Sequence, residues 1–292
     1  MRVEDRQPFF IPCMALVGPG LIGGSLALAL KAAGVVGEII GFDRDPKNLR
    51  LALERGLIDR MAQEDAEVER ADLVFLATPV LSLAEAAAKY LPLMKRGAVL
   101  TDGGSVKGHV IEAIAPMVPE GIHFVPGHPI AGTEKSGAGA AFATLYRNRR
   151  CILTPLAGTD ESAVALVVSL WEAAGSEVVL MDVEKHDRIL AAISHLPHMV
   201  AYSLVNAVGS YDRYEENILE YSAGGFRDFT RIASSDPLMW RDIALSNREA
   251  LLEMMERCEA FFAELKEDVR RGEAEKLLEF FQRSKSLRDA IL

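Results

Sequence analysis

Three groups of residues in this chain have the types and spacing of a working site. Val17-Gly18-Pro19-Gly20-Leu21-Ile22-Gly23 spells G-x-G-x-x-G. Between a strand and a helix these glycines would serve a dinucleotide. Gly18 allows the tight turn, Gly20 lets backbone approach the pyrophosphate, and Gly23 lets helix pack on strand. Leu21 and Ile22 open the helix whose amides and positive dipole end would meet the diphosphate. Asp43 stands 20 residues beyond Gly23, where an acid can accept from adenosine ribose hydroxyls. It would repel a 2′-phosphate, so NAD is expected over NADP, although Arg44 stands beside it. Thr78 and Pro79 end another strand and would border the same cofactor.

The second group is polar in apolar surroundings. Gly103-Gly104-Ser105-Val106-Lys107-Gly108 puts Ser105 and Lys107 at a further strand-to-helix junction. Gly127-His128-Pro129 opens a run that continues through Thr133 and Glu134 to Gly137. A histidine between glycine and proline is expected on a rigid, accessible loop, where it suits a general base near neutral pH. The bland reading of such a histidine is a ring that satisfies loop carbonyls.

The third group is C-terminal. His195 and His198 are three apart and share a helix face. No HExxH or third-ligand pattern accompanies them, so no metal is expected. Gly224-Gly225-Phe226-Arg227-Asp228-Phe229-Thr230-Arg231 reads as a glycine-hinged loop with two arginines, the natural bidentate partners of carboxylates. Surface ion pairing is their bland alternative.

The elements that must position these groups change rhythm two-thirds along the chain. Strands are predicted at Met14–Val17, Ile39–Phe42, Leu73–Ala77, Val99–Thr101, His123–Val125, Cys151–Leu153 and Val178–Met181. Helical patterns lie between them, such as Leu21–Ala33 stopped by Gly34, and Pro46–Arg55 capped by Asp45 and stopped by Gly56. This alternation predicts an α/β, Rossmann-type doubly wound, mostly parallel sheet. After Asp182 strand signals stop. One helix is expected over Glu184–Val208, kinked near Pro197. Helical pattern then runs from Pro237 to about Arg271, interrupted at Ser246–Asn247, and from Glu273 to Ala290. The expected domains are therefore 1–182, binding NAD, and an all-helical 183–292.

Composition bounds the partners. The chain has 292 residues and a net charge of −10, which speaks against nucleic acid or an anionic membrane surface. Cys13, Cys151 and Cys258 are widely spaced, so neither a disulfide framework nor a zinc site is expected, and a reducing cytoplasmic home fits. Two uncharged stretches, Gln7–Leu30 and Ile189–Tyr211, imitate a signal peptide or membrane span. Glu4 and Asp5 spoil the basic leader of Arg2 and Arg6, and prolines and glycines break the first stretch. The second carries Ser194, His195, Pro197, His198, Ser203 and Asn206, which suit a core helix with a functional face. No transmembrane segment is expected.

GSVKG (Gly104–Gly108), GHPIAGTEKSG (Gly127–Gly137), SHLPH (Ser194–His198), GGFRDFTRIA (Gly224–Ala233) and SDPLMWRDI (Ser235–Ile243) occur in one order over the nucleotide fold. Together they resemble the prephenate dehydrogenases of tyrosine biosynthesis, over about residues 12 to 270. The resemblance implies oxidative decarboxylation of prephenate with hydride transfer to NAD. It implies that His128 is the catalytic histidine and that Ser105 bonds the substrate hydroxyl and helps orient that histidine. Arg231 would bind a substrate carboxylate and His198 the substrate, with His195 in support. Lys107, Thr133 and Glu134 would line the pocket. Asp187, Arg227 and Asp228 would form a gating network, with Trp240 nearby. The regulatory ACT or chorismate mutase domains that some members carry are not expected within these residues.

Arogenate, with an amino acid side chain in place of pyruvyl, is the near alternative substrate, and dual specificity is a third. β-Hydroxyacid dehydrogenases and imine reductases share the two-part plan but expect a catalytic lysine in the helical part, and in the 184–235 stretch no lysine is suitably placed except Lys185. A non-catalytic NAD sensor would not need Ser105, His128 and Arg231 together. The apolar stripe of Leu251, Met254, Met255, Phe261 and Phe262 reads as core by itself. The resemblance implies instead a homodimer of interlocked helices. A dianionic substrate in an acidic protein requires a local positive pocket, for which Arg231, His198, Lys107 and Arg227 are the candidates.

Overall fold

The computed structural model describes residues 9–211 and 218–291. The leader residues Arg2, Glu4, Asp5 and Arg6 lie outside them. Six strands, β1 (Ile11–Val17), β2 (Val36–Phe42), β3 (Arg60–Met61), β4 (Leu73–Leu76), β5 (Val99–Asp102) and β6 (His123–Val125), form one sheet in the order β3-β2-β1-β4-β5-β6. Every pairing in it is parallel. A parallel sheet is covered on both faces, so its strands are apolar throughout. In β4, Leu73 and Phe75 point into one core while Val74 and Leu76 point into the other. The strand order reverses between β1 and β4, and a crevice opens above their carboxyl ends. Two-residue β3 escaped the sequence reading because it has no apolar run and is defined by pairing with Ile40 and Gly41.

Helices α1 (Leu21–Ala33), α2 (Pro46–Glu54), α3 (Leu83–Tyr90) and α4 (Gly108–Ile114) cross between these strands. Local chemistry sets the ends of the first two. Gly34, at φ +69°, returns its amide to the last turn of α1. Asp45 accepts from the Lys47 amide at 2.8 Å and caps α2, whose first residue is Pro46.

A second sheet was not foreseen. β7 (Gly127–Pro129) runs antiparallel to β8 (Arg150–Leu153), which runs parallel to β9 (Glu177–Leu180). Helix α5 (Glu161–Ala173) brings Trp171 edge-on to Phe75 and to Tyr146, with ring centroids 5.8 and 5.1 Å apart. The Tyr146 hydroxyl donates to the Ile22 carbonyl at 2.6 Å, so the second sheet is fastened beside the glycine turn.

The helical part begins with α6 (Val183–Leu190), capped by Asp182, which accepts from the Lys185 amide. A π-helical turn at Ala191–His195 joins it to α7 (Leu196–Tyr211). The expected distortion near Pro197 falls in the turn just before it. Proline lacks the amide that the preceding turn needs, and the wider π turn absorbs the mismatch. By length and composition the α6–α7 run could cross a membrane. Its polar groups instead bond to the nucleotide-binding part, as shown below.

The segment read as a glycine-hinged loop is helical: α8 (Gly224–Thr230) leads into a 3₁₀ turn at Arg231–Ser234. Neither Gly224 nor Gly225 has a positive φ, so both fit a helix without strain. α9 (Pro237–Ser246) and α10 (Arg248–Arg271) break at Asn247, and α11 (Ala274–Asp289) follows. Trp240 and Ile243 of α9 join the core on one face of the parallel sheet, so the two parts of the chain share a packed junction.

Candidate active site

A cleft of about 1190 Å³ runs from the carboxyl ends of β1 and β4 to the junction with the helical part. That volume suits a dinucleotide together with a small substrate. Gly18, Gly20, Leu21, Ile22, Asp43, Thr78 and Pro79 line one end. Gly18 has φ +83°, and a Cβ there would stand 3.0 Å from the Ala77 carbonyl oxygen. A Cβ on Gly20 would meet nothing nearer than 3.9 Å, because it would project into the cleft that a pyrophosphate must enter. Gly23 is set back from the cleft; a Cβ there would come within 2.7 Å of the Gly18 oxygen and of Leu16. The three glycines thus serve a turn, a close approach and a packing contact, and the cradle fits a dinucleotide.

Asp43 accepts from the Asp45 amide at 2.8 Å and from Asn48 Nδ2 at 2.7 Å, which orients its carboxylate at the mouth of the adenosine end. Asn48 also accepts from the Ala138 amide at 2.9 Å, tying this corner to the loop after Gly137. Arg44 ion-pairs with Glu85 at 3.5 Å, both side chains largely exposed.

The other end of the cleft gathers Ser105, His128, Thr133, Glu134, His195, His198, Arg231 and Trp240. His128 is not on an accessible loop. It sits in β7, its backbone paired with Ile152, and only 8% of it is exposed. Its Nδ1 lies 2.9 Å from His186 Nε2, and His186 Nδ1 lies 2.7 Å from Asp187 Oδ1. Burial holds the His128 pKa well below its usual value, with His186, Lys107 and His195 acting in the same direction. The ring is therefore neutral at neutral pH, with one of its nitrogens a bare acceptor.

Two further histidines present different faces. His198 stacks on Trp240, with centroids 3.6 Å apart and planes at 21°. Its Nδ1 is 2.9 Å from the Ser194 carbonyl, which can only accept, so that nitrogen carries the proton. Burial lowers the His198 pKa, leaving Nε2 as a bare acceptor. His195 is the converse. Asn247 Nδ2 donates to the Asp187 carbonyl at 2.8 Å and to His195 Nδ1 at 3.1 Å. His195 Nδ1 thus accepts, and its proton sits on Nε2; burial pushes its pKa down to about 4.

Several expected site residues are placed differently. Lys107 does not line the cleft. Its ammonium is fully buried against Asp102 and donates to the Gly127 carbonyl at 2.6 Å. Asp102 also accepts from the Gly104 amide at 2.7 Å, so the pair is hydrogen-bonded as a buried ion pair must be. This lysine holds the Gly104–Gly108 turn against β7 and brings no free charge to the substrate. Asp187, Arg227 and Asp228 do not meet as one network. Asp187 accepts from the amides of Lys107 and Gly108, whereas Arg227 and Asp228 stand exposed on α8, Arg227 donating to Ser222 at 3.3 Å. Arg231 is paired with Glu134, so the arginine intended for a carboxylate already has one from the chain itself.

His186 and Asn247 were missed. His186 sits one turn into a charged helix and belongs to no motif; the adjacent histidine and aspartate were its only signal. Asn247 was visible only as a helix break. Among the described residues no His, Cys, Asp or Glu cluster is arranged to hold a metal, and Cys13, Cys151 and Cys258 are free thiols.

Known proteins resemble this chain over most of its length. Residues 26–180 match the family model described as prephenate dehydrogenase, nucleotide-binding domain, and residues 182–283 match prephenate dehydrogenase, dimerization domain. A cyclohexadienyl dehydrogenase of Zymomonas mobilis is 38% identical over 280 residues, covering 95% of each chain. The crystal structure of a prephenate dehydrogenase from Aquifex aeolicus, in complex with hydroxyphenyl propionate and NAD+, superposes with a TM-score of 0.91 at 38% identity, over 98% of this chain and 100% of that one. A Synechocystis arogenate dehydrogenase superposes with a TM-score of 0.79 at 30% identity, over 96% and 100%.

Proposed function

Because this chain belongs to the prephenate dehydrogenase family, with NAD as its cofactor, we propose that it converts prephenate to 4-hydroxyphenylpyruvate by oxidative decarboxylation. The observation that carries this reading is one cleft holding the glycine cradle at one end and Ser105, His128 and Arg231 at the other. Gly18, Gly20 and the amides opening α1 would hold the diphosphate, and Asp43 would take the adenosine ribose. Bound there, the nicotinamide supplies the acceptor for the hydride from substrate C4.

The rest of the chemistry falls to side chains. His128 withdraws the C4 hydroxyl proton as hydride departs, and Ser105 holds that oxygen in line. The ring is then a dienone with its carboxylate placed to leave as carbon dioxide, which drives the ring to aromaticity. The electrons released arrive at the C4 oxygen as a phenolate, and the proton held by His128 returns to it. Charge and atoms balance: prephenate and NAD+ become 4-hydroxyphenylpyruvate, carbon dioxide and NADH. Arg231 exchanges Glu134 for a substrate carboxylate, and Thr133 lies beside them. The enzyme's share is placement and proton handling.

Dual action on prephenate and arogenate is the second reading, favoured by the Zymomonas relative, whose name covers cyclohexadienyl substrates. NADH formation measured with prephenate and with arogenate, each with NAD and NADP, decides among these. Turnover of prephenate with NAD is expected, and turnover of neither substrate would defeat the function proposed.

A homodimer built by the helical part belongs to the same reading. Helix α11 has no buried residue, while Phe262, Leu278 and Leu287 are 68%, 56% and 69% exposed. Apolar surface on this scale favours a second copy. Light scattering on the eluting protein should give twice the chain mass, and a clean monomer would refute it.

A further inference from the structure

His128 is held by a chain of groups that ends in a carboxylate. Asp187 faces three donors: the Lys107 amide at 2.9 Å, the Gly108 amide at 2.7 Å and His186 Nδ1 at 2.7 Å. Burial alone would raise the Asp187 pKa, but the bonds from His186 and the two amides outweigh it and leave the group ionised. A carboxylate only accepts, so the proton between them sits on His186 Nδ1. His186 is fully buried, and burial keeps its ring neutral despite the neighbouring carboxylate. Its Nε2 is then a bare acceptor, 2.9 Å from His128 Nδ1. Two bare nitrogens would repel at that distance, so His128 Nδ1 must be the donor. A neutral imidazole has one proton, and here it is spent on His186.

We propose that His186, anchored by Asp187, is a positioning residue that locks His128 into the tautomer with a bare Nε2, making that nitrogen the base. The inference rests on His128 being the base of the proposed reaction. It also accounts for the arrangement of polar groups at the domain junction. His186 and Asp187 belong to α6, whereas His128 belongs to β7 and the two amides to the turn opening α4. The helical part thus sets the protonation state of a histidine in the nucleotide-binding part. When Nε2 takes the substrate proton, the His128 cation still donates Nδ1–H to a neutral ring whose far side faces an anion. The new charge is stabilised along that line without leaving the buried site. The logic is that of an aspartate holding a catalytic histidine in its working tautomer, with a second imidazole interposed.

The test combines a spectrum with kinetics. Ring-nitrogen NMR of histidine-labelled protein at neutral pH should show His128 protonated at Nδ1 and bare at Nε2. H186F keeps the buried volume and removes both hydrogen bonds; its kcat should fall about 10²-fold, with NAD affinity unchanged. H186Q, whose amide oxygen can accept from His128 Nδ1, should recover most of that loss. An Nε2–H signal from His128 in the wild-type protein overturns the proposal. So does H186F with wild-type kcat, and so does a parallel fall in NAD affinity, which marks a merely structural role. If H186F fails to fold, the wild-type spectrum and H186Q still decide. If the wild-type protein turns over neither prephenate nor arogenate, it is the functional reading that fails, and the spectrum continues to judge the tautomer separately.

Discussion

The two ends of the cleft are built on different principles. The cofactor end is backbone: two glycines, the amides opening α1, and one carboxylate oriented by its own loop. Nearly everything it needs lies within residues 17–48. The catalytic end is side chain, and its members come from the turn after β5, β7 and the loop after it, α6, the π turn, α7, the turn after α8, and α9. It works by burial, with three depressed histidines in a row from β7 to the π turn. A backbone cradle tolerates changes in its surroundings, because amides do not titrate and a turn depends on few contacts. A chain of buried rings depends on every partner's protonation state.

The sharpest way to separate the ends is His128→Asn. Turnover should fall by about 10²–10⁴, while NAD binding, followed by nucleotide fluorescence or calorimetry, stays as in the wild type. Wild-type turnover in this variant would remove His128 from its role and erase the distinction.

Acid offers a second, smaller contrast. The His195 pKa lies near 4 in the folded chain and near 6.5 when unfolded, so between these values only the unfolded chain binds that proton. Stability is therefore full above about pH 6.5 and is lost as pH falls towards 4, by about 3 kcal/mol from this group. His128, His186 and His198 shift in the same direction and add to the loss. Urea unfolding across this window should show the midpoint falling with pH. A flat profile would mean that the catalytic end is no more acid-sensitive than the cradle.

The smallest change breaks the other end. A Cβ on Gly23 would press within 2.7 Å of the Gly18 oxygen, so Gly23→Ala should cost about 1–3 kcal/mol. The loss should appear as weaker NAD binding and a lower melting temperature. With NAD saturating, kcat should stay near wild type, since no histidine is touched. A kcat collapse on saturation would show that the two ends are coupled.

These contrasts explain what could be read in advance. The expected strands on the main sheet fall within a few residues of β1, β2, β4, β5 and β6, because burial on both faces writes an apolar run into each. Asn247 was visible as a break between α9 and α10 for a similarly local reason. The glycine pair Gly224-Gly225 suggests a hinge, yet neither glycine has a positive φ and Gly224–Thr230 is helical. Strand β7 was missed because Gly-His-Pro has no strand signature until β8 lies beside it.

Sequence alone determined the cradle, the acid at Asp43, the alternation that builds a doubly wound sheet, and the set of motifs that marks the family. All of these depend on residues near one another in the chain, where turn geometry and periodicity are legible. Only the tertiary structure decided that Lys107 is spent on Asp102, that Arg231 meets Glu134, and that His128 is buried against His186 rather than exposed on a loop. Each pairs residues through space, at separations of 5 positions for Lys107 and Asp102, 58 for His128 and His186, and 97 for Arg231 and Glu134. The positive pocket expected from four candidate groups is thereby narrowed. Lys107 is neutralised in the core, Arg227 stands outside, and Arg231 already holds the Glu134 carboxylate. Burial and partner choice set the charge and tautomer of a side chain, and both are properties of the packed chain.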